Sequence, residues 1–406
     1  MTSPDSRTRA ARRADASPAR RERPAHARPA RRHNIGKVVA LTLVGVFAFT
    51  GTAAGALYYK LDHNIETVDL EALTDESVRP PTAEPDPEDP NGGVALNILL
   101  IGSDARNGEN AAIGGEAGGM RSDTTMVMHV SADRTRVEVV SIPRDSLVAL
   151  PSCETTNGTV SAKSNAMFNS AFAAGWDTGG DIESAVSCTR SAVESLTNVR
   201  MDGFMVVDFT GFEKMVDAIG GVPLYLDSEI NSPMADLYLP AGQQTLNGQQ
   251  ALGLARARKG EGLDGSDLKR IDRQQDLLNA MASTVLSKNL LTDTPALIQF
   301  LNSATSSLTV SNEFSSITDL AGLALSLKGV SMDSIVFETV PIMDAPSDKN
   351  RVVWTSAAED VWASMAADVP IPQSETASST GIQTPGAAEV ADTAAVPPDD
   401  TAGVVP

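Results

Sequence analysis

Twenty-two consecutive residues, Val38 to Tyr59, carry no charge and are bounded by Lys37 and Lys60. That run constrains the chain most, because about 20 apolar residues in a helix cross the hydrocarbon core of a bilayer. The flank before it and the run itself both exceed the roughly 7–15-residue core of a cleaved secretory signal, so an uncleaved signal anchor is expected. Tyr58 and Tyr59 fall where aromatic side chains meet the interface. Residues 1–37 hold 11 Lys/Arg against 3 Asp/Glu, a surplus of +8; with −20 for the whole chain, the rest carries −28. A basic flank beside a span predicts a cytoplasmic N-terminal tail and an extracytoplasmic body at the cell membrane. An acidic body also repels phosphate backbones, which excludes nucleic acid as its partner.

Composition divides the remainder. Residues 60–93 are acidic and proline-rich, with ten acids and one arginine over 61–93, and read as an extended stalk. Residues 371–406 are rich in Ala, Thr, Pro and Ser, with five acids and no base, and read as a disordered tail. Between them, 94–370 is one folded domain. Its opening run Ala95–Gly102 is short enough for a buried strand. Thr124–Val130 and Arg136–Ile142 alternate around a turn and predict a hairpin. Residues 164–174 and 181–196 read as helices, Gly203–Phe209 as a strand, and Gly211–Ile219 as a helix stopped by two glycines. Asp267–Leu286 is a helix capped by Ser266, Asp333–Val340 a strand, and Ala357–Ala367 a last helix. Strands mixed with helices predict an α/β domain, a mixed sheet covered on both faces.

Four clusters carry charge where strands end or helices begin: Ser103-Asp104-Ala105-Arg106, Arg121-Ser122-Asp123-Thr124, Pro143-Arg144-Asp145, and Arg256-Ala257-Arg258 followed by Asp267 to Gln274. Open α/β sheets place ligands at the carboxyl ends of their strands. Six of the 19 basic residues in 91–370 fall within 256–273, unusual in an acidic chain. Arg270, Arg273 and Gln274 stand at i, i+3 and i+4, which predicts one shared helix face. Guanidinium forks suit phosphate oxygens, several of them a diphosphate. Asp104 and Asp123 could hold a Mg²⁺ bridging such oxygens, with Mn²⁺ as a substitute. Arg-Asp pairs at strand ends are also often plain solvated ion pairs. Cys153 and Cys188, the only cysteines, are expected to form a disulfide if the compartment oxidises, and otherwise to be two buried thiols. His129 reads as an ordinary strand residue.

Taken in order, these motifs resemble the LytR–CpsA–Psr family, as do Asp208-Phe209-Thr210-Gly211-Phe212, Asp217-Ala218-Ile219-Gly220-Gly221-Val222 and Leu246-Asn247-Gly248-Gln249-Gln250-Ala251-Leu252. The resemblance covers about 94–370. It implies an α/β/α sandwich around a mixed central β-sheet, preceded by one transmembrane helix, with an apolar tunnel for a polyprenyl chain. It implies transfer of a cell-wall glycopolymer from a polyprenyl diphosphate carrier to peptidoglycan, with Mg²⁺. Carried over by motif, Asp104 and Asp123 would hold the metal, and Arg121, Arg144, Arg256, Arg258, Arg270 and Gln274 would grip the diphosphate, with Arg106, Asp145, Asp267 and Arg273 as further substrate contacts. Three positions depart from the family pattern: Leu254-Ala255 replaces a tyrosine before the Arg-x-Arg pair, Ser266 replaces a glycine, and Asn107–Met120 is an insertion. A phosphatase of the same lipid, or a carrier-binding regulatory module without catalysis, are the competing readings. The tunnel is expected beside the arginines, walled by 164–174, 181–196 and 277–286.

Overall fold

A computed structural model describes residues 32–82, 93–104, 120–287, 294–373 and 382–383. The chain divides into two compact units, Met1–Ala56 and Leu57–Pro406. Helix α1 runs Arg32–His63. Its Thr42–His63 portion is, among the described residues, the one helix long and apolar enough to cross a bilayer, and Val44, Phe47 and Phe49 on it are exposed.

The second unit is built on a seven-stranded mixed sheet. Its strands are β1 (Glu66–Val68), β2 (Leu96–Ser103), β3 (Ser122–Val130), β4 (Val137–Ile142), β5 (Gly203–Val207), β6 (Leu308–Ser311) and β7 (Ile335–Thr339), in the order β1-β6-β5-β2-β3-β4-β7. The hairpin predicted from alternation is present as β3 and β4; β2 also pairs antiparallel with β3, while β2–β5, β4–β7 and β1–β6 are parallel. Alternation along β2 assigns the two faces. Leu99 and Ile101 join a core with α2 (Ser170–Gly179), α3 (Ile182–Thr197) and α9 (Ala357–Ala366), through Phe172, Val186, Val193, Trp362 and Met365. Ile98 and Leu100 face the other way, toward Val310, Phe314 and α8 (Ile317–Ser326). On that second side α4 (Phe209–Ala218), α5 (Gly248–Arg256), α6 (Asp267–Ser287) and α7 (Thr294–Thr305) complete the outer layer. The result is an α/β/α sandwich.

Three expectations change. The acidic stretch after the span is not a bare stalk: over 60–82, Leu61, Val68 and Leu70 are buried, β1 adds to the sheet, and Arg79 pairs with Glu194 at 2.7 Å. Apolar residues spaced among the acids supply that contact, which composition averaged over the window conceals. Residues 164–174 are not one helix, since Ser164–Met167 is a strand paired with Leu147–Leu150 before α2 begins. In the C-terminal stretch the Ile371 amide donates to Glu138 Oε1 at 2.9 Å, and Ile382–Gln383 adds to the strand Val222–Leu226; 374–381 and 384–406 lie outside the described residues. Cys153 and Cys188 form a disulfide with a Cα–Cα distance of 5.1 Å, tying the loop after Leu150 to α3.

Candidate functional site

The charged motifs converge because the central strands end together. Gly102 pairs with Thr124 and Ser103 with Ser122, so Asp123 is the extra residue of a β-bulge, a device that re-aims a side chain at a sheet rim. The backbone ladder continues from Asp104 N to Arg121 O at 3.0 Å, and Asp104 Oδ1 accepts from the Arg121 amide at 2.6 Å. Arg144 follows directly on β4. Asp267 opens α6, where a carboxylate is favoured by the exposed amides of the first turn.

Arg144 is the hub. Its Nη1 donates to Asp123 Oδ1 at 2.7 Å, its Nη2 lies 3.3 Å from Asp267 Oδ1, and its Nε lies 3.9 Å from Asp145 Oδ2. Asp267 also meets Arg270 at 3.0 Å and Arg258 at 3.5 Å. Burial works against the charge on Arg144, but the carboxylates of Asp267 and Asp123 outweigh it and raise its pKa above the usual arginine value. Burial pushes the Arg270 guanidinium down; Asp267 opposes that push, while Arg144 and Arg258 reinforce it.

Two cavities meet on this network. One, of about 580 Å³, is lined by Asp104, Arg121, Asp123, Arg144, Asp145, Arg258 and Asp267, with Asn169 and the hairpin residues Asp344, Lys349, Asn350 and Arg351. The other, of about 560 Å³, is lined mainly by Leu100, Met126, Met205, Phe209, Phe212, Met215, Leu277, Leu278, Met281, Phe300 and Ala304. Asp123, Arg144 and Arg258 line both. Arg256, Arg270 and Gln274 stand at the mouth of the apolar cavity; Arg256 sits 4.6 Å over the Phe209 ring, and Gln274 bridges Thr124 Oγ1 and Ala255 O.

The tunnel walls expected at 164–174 and 181–196 are elsewhere. Both segments pack on the opposite face with Leu99 and Ile101, while 277–281 of the third segment does line the cavity, opposite α4 and α7. Arg273 is outside the site too: it is 4% exposed and donates to Ala257 O at 2.5 Å. It therefore supports the Arg256–Arg258 segment from behind; a 100° step per residue separates it from Arg270 and Gln274. Arg106 lies outside the described residues. Sequence reasoning missed the hairpin Ile342–Ala345 and Asp348–Trp354, which docks on Ser146 through Val352 and through Trp354 Nε1 at 3.2 Å. Arg351 reaches Asp145 Oδ1 at 3.3 Å. The charged run Asp348-Lys349-Asn350-Arg351 was the available signal.

Five cationic and five anionic side chains line the polar cavity, so it carries no net charge of its own. Among the described residues no three His, Cys, Asp or Glu form a metal cage. Mg²⁺ asks for less, commonly one or two carboxylates with water and phosphate oxygens. Asp104 and Asp123 on one cavity fit that donor set.

The α/β/α sandwich thus sets a charge-balanced polar cavity against an apolar one. The chain belongs to the LytR_cpsA_psr family, whose model matches residues 59–367. It is 34% identical over 282 residues to the probable cell wall biosynthesis protein LcpB of Corynebacterium glutamicum, covering 67% of this chain and 61% of LcpB. It is 31% identical over 197 residues to the polyisoprenyl-teichoic acid–peptidoglycan teichoic acid transferase TagV of Bacillus subtilis, covering 47% of this chain and 44% of TagV. Against LcpB and the C. glutamicum cell wall biosynthesis protein LcpA it spans 61% and 54% of their lengths. The fold is that of the protein gbs0355 from Streptococcus agalactiae, with a TM-score of 0.52 at 19% identity over 70% of this chain and 90% of that one.

Proposed function

We propose that the chain is a membrane-anchored phosphotransferase that moves a glycopolymer from a polyprenyl diphosphate carrier to peptidoglycan. The observation that carries this reading is the junction at Asp123, Arg144 and Arg258, where a polar and an apolar cavity share walls. One molecule with a diphosphate head and an isoprenoid tail fills both. The name of TagV supports a transfer to peptidoglycan and that of LcpB a part in cell wall biosynthesis, and the basic tail before α1, with the Cys153–Cys188 disulfide beyond it, supports an extracytoplasmic domain.

In this reaction an acceptor hydroxyl oxygen bonds to the glycan-bearing phosphorus, the bond from that phosphorus to the bridging oxygen breaks, and polyprenyl phosphate leaves. Such transfers need alignment and charge neutralisation more than covalent help. Arg121, Arg144 and Arg258 face the phosphates from the polar side, while Arg256 and Arg270 guard the start of the tail. Asp104, Asp145 and Asp267 are the cavity carboxylates to which the acceptor proton can pass. Asp104 and Asp123 would hold Mg²⁺ or Mn²⁺, which would neutralise phosphate charge that a cavity of balanced charge leaves uncompensated.

The test is purified full-length protein in vesicles with a labelled polyprenyl-diphosphate glycan, peptidoglycan and Mg²⁺. Label covalently joined to peptidoglycan is the expected outcome. Glycan released to water alone would make the protein a phosphatase, and no turnover would leave a binding module.

A further inference from the structure

Helix α8 has a composition at odds with its setting. Its stretch Leu320-Ala321-Gly322-Leu323-Ala324-Leu325 holds no polar side chain. A helix that is apolar all round belongs inside a protein or in lipid. Leu320 and Leu323 do pack inward against Ile98, Val310 and Phe314. Ala321, Gly322, Ala324 and Leu325 are exposed, Leu325 by 62%, and a Cβ added at Gly322 would meet nothing within 4 Å. The helix itself is well made, with a capping box between Ser316 and Asp319.

What lies beside it identifies the cover. Tyr58 Oη is 3.4 Å from Thr318 Oγ1, and Asp62 Oδ1 accepts from the Ile317 amide at 3.2 Å. Tyr58 and Asp62 belong to the outer part of the candidate span Thr42–His63. The start of α8 is thus pinned to the segment that would emerge from the bilayer, with exposed Tyr58 and Tyr59 at the depth that interfacial aromatics favour. At about 1.5 Å per residue, Leu325 lies roughly 10 Å along the helix from Thr318. The single base that follows, exposed Lys328, can reach lipid phosphates from such a position.

We propose that the outer face of α8 docks on the bilayer surface beside the span, as a second membrane contact of the extracytoplasmic domain. This rests on α1 being the anchor. It gives the domain a second point of attachment to the bilayer. It also brings membrane close to α7, since Asn64 bonds Asn302 on that helix, and Phe300 and Ala304 of α7 wall the apolar cavity. A lipid carrier would then pass from bilayer to cavity without its tail crossing water.

Both native cysteines are in the disulfide, so one introduced cysteine is a unique label site. Full-length L325C, F49C and V160C, each carrying an environment-sensitive fluorophore, are reconstituted into phosphatidylglycerol/phosphatidylcholine vesicles containing lipids with a quencher near the headgroup or deep in the chain. The expected result is at least twofold quenching of L325C by the shallow quencher, strong quenching of F49C by the deep one, and none of exposed Val160→Cys. A quenched F49C with an unquenched L325C overturns the α8 contact, whether or not two L325C copies crosslink. An unquenched F49C sinks the anchor itself, which is a different failure.

Discussion

Arg121 and Arg273 are both motif arginines, yet one faces a cavity and the other a carbonyl. Arg121 is exposed on the polar cavity and makes no side-chain ion pair among the described residues. Arg273 is buried with its Nη2 on Ala257 O. Their alanine variants should separate accordingly. Arg121→Ala should lower transfer about 10²–10³-fold with Tm unchanged, as for removal of one transition-state donor. Arg273→Ala should cost stability of about 1–3 kcal/mol by leaving a buried carbonyl unpaired. Thermal melts and initial rates on the same preparations check both, and equal rates for Arg121→Ala and the unmodified protein would reject its role. Most of the charged residues that line the polar cavity could be read from their motifs, because a charge at the end of an apolar strand has few places to go. Which side of α6 each residue faces could not, since i+3 neighbours diverge by 60° and only packing decides which carries the ligand. Arg136 makes the same point: it follows directly on a turn, yet it pairs with buried Glu138 at 3.1 Å and with Asp368.

Among elements, the strands were legible because a strand covered on both faces reads as a short, nearly continuous apolar run, as Ala95–Gly102 does. The hairpin after β7 was not, because short charged strands on a surface look like any loop; its place beside Asp145 comes from long-range docking on Ser146. The side of the sheet that holds the apolar cavity was also invisible, since helices on both faces bury apolar side chains. Phe300 and Ala304 of α7 line the apolar cavity. Ala304→Trp should therefore fill part of the cavity and raise the KM for a long-chain donor at least tenfold, leaving a donor with a single isoprene unit unaffected. Equal effects on the two donors would remove α7 from the binding site. The disulfide belongs to this scale as well. Its cysteines are 35 residues apart, so replacing both with serine should cost about 2–4 kcal/mol, read as a lower denaturation midpoint and as the same shift when the unmodified protein is reduced.

Across the whole molecule, charge and apolar surface are segregated. A tail of +8 precedes an apolar helix, and an acidic body follows it. Within that body a charge-balanced cavity of about 580 Å³ abuts an apolar one of about 560 Å³. Burial of a tail contributes about 0.8 kcal/mol per CH₂, and guanidinium–phosphate bonds are among the strong charge-assisted contacts. Neither half-ligand collects both terms. The most direct measurement is calorimetric binding of three ligands to the full-length protein in detergent with Mg²⁺: a polyprenyl diphosphate, the matching polyprenol, and inorganic diphosphate. The polyprenyl diphosphate should bind at least 100-fold tighter than either fragment, and Arg144→Lys should erase most of that advantage. Affinity for the polyprenyl diphosphate no better than for one of its halves would contradict the proposed function.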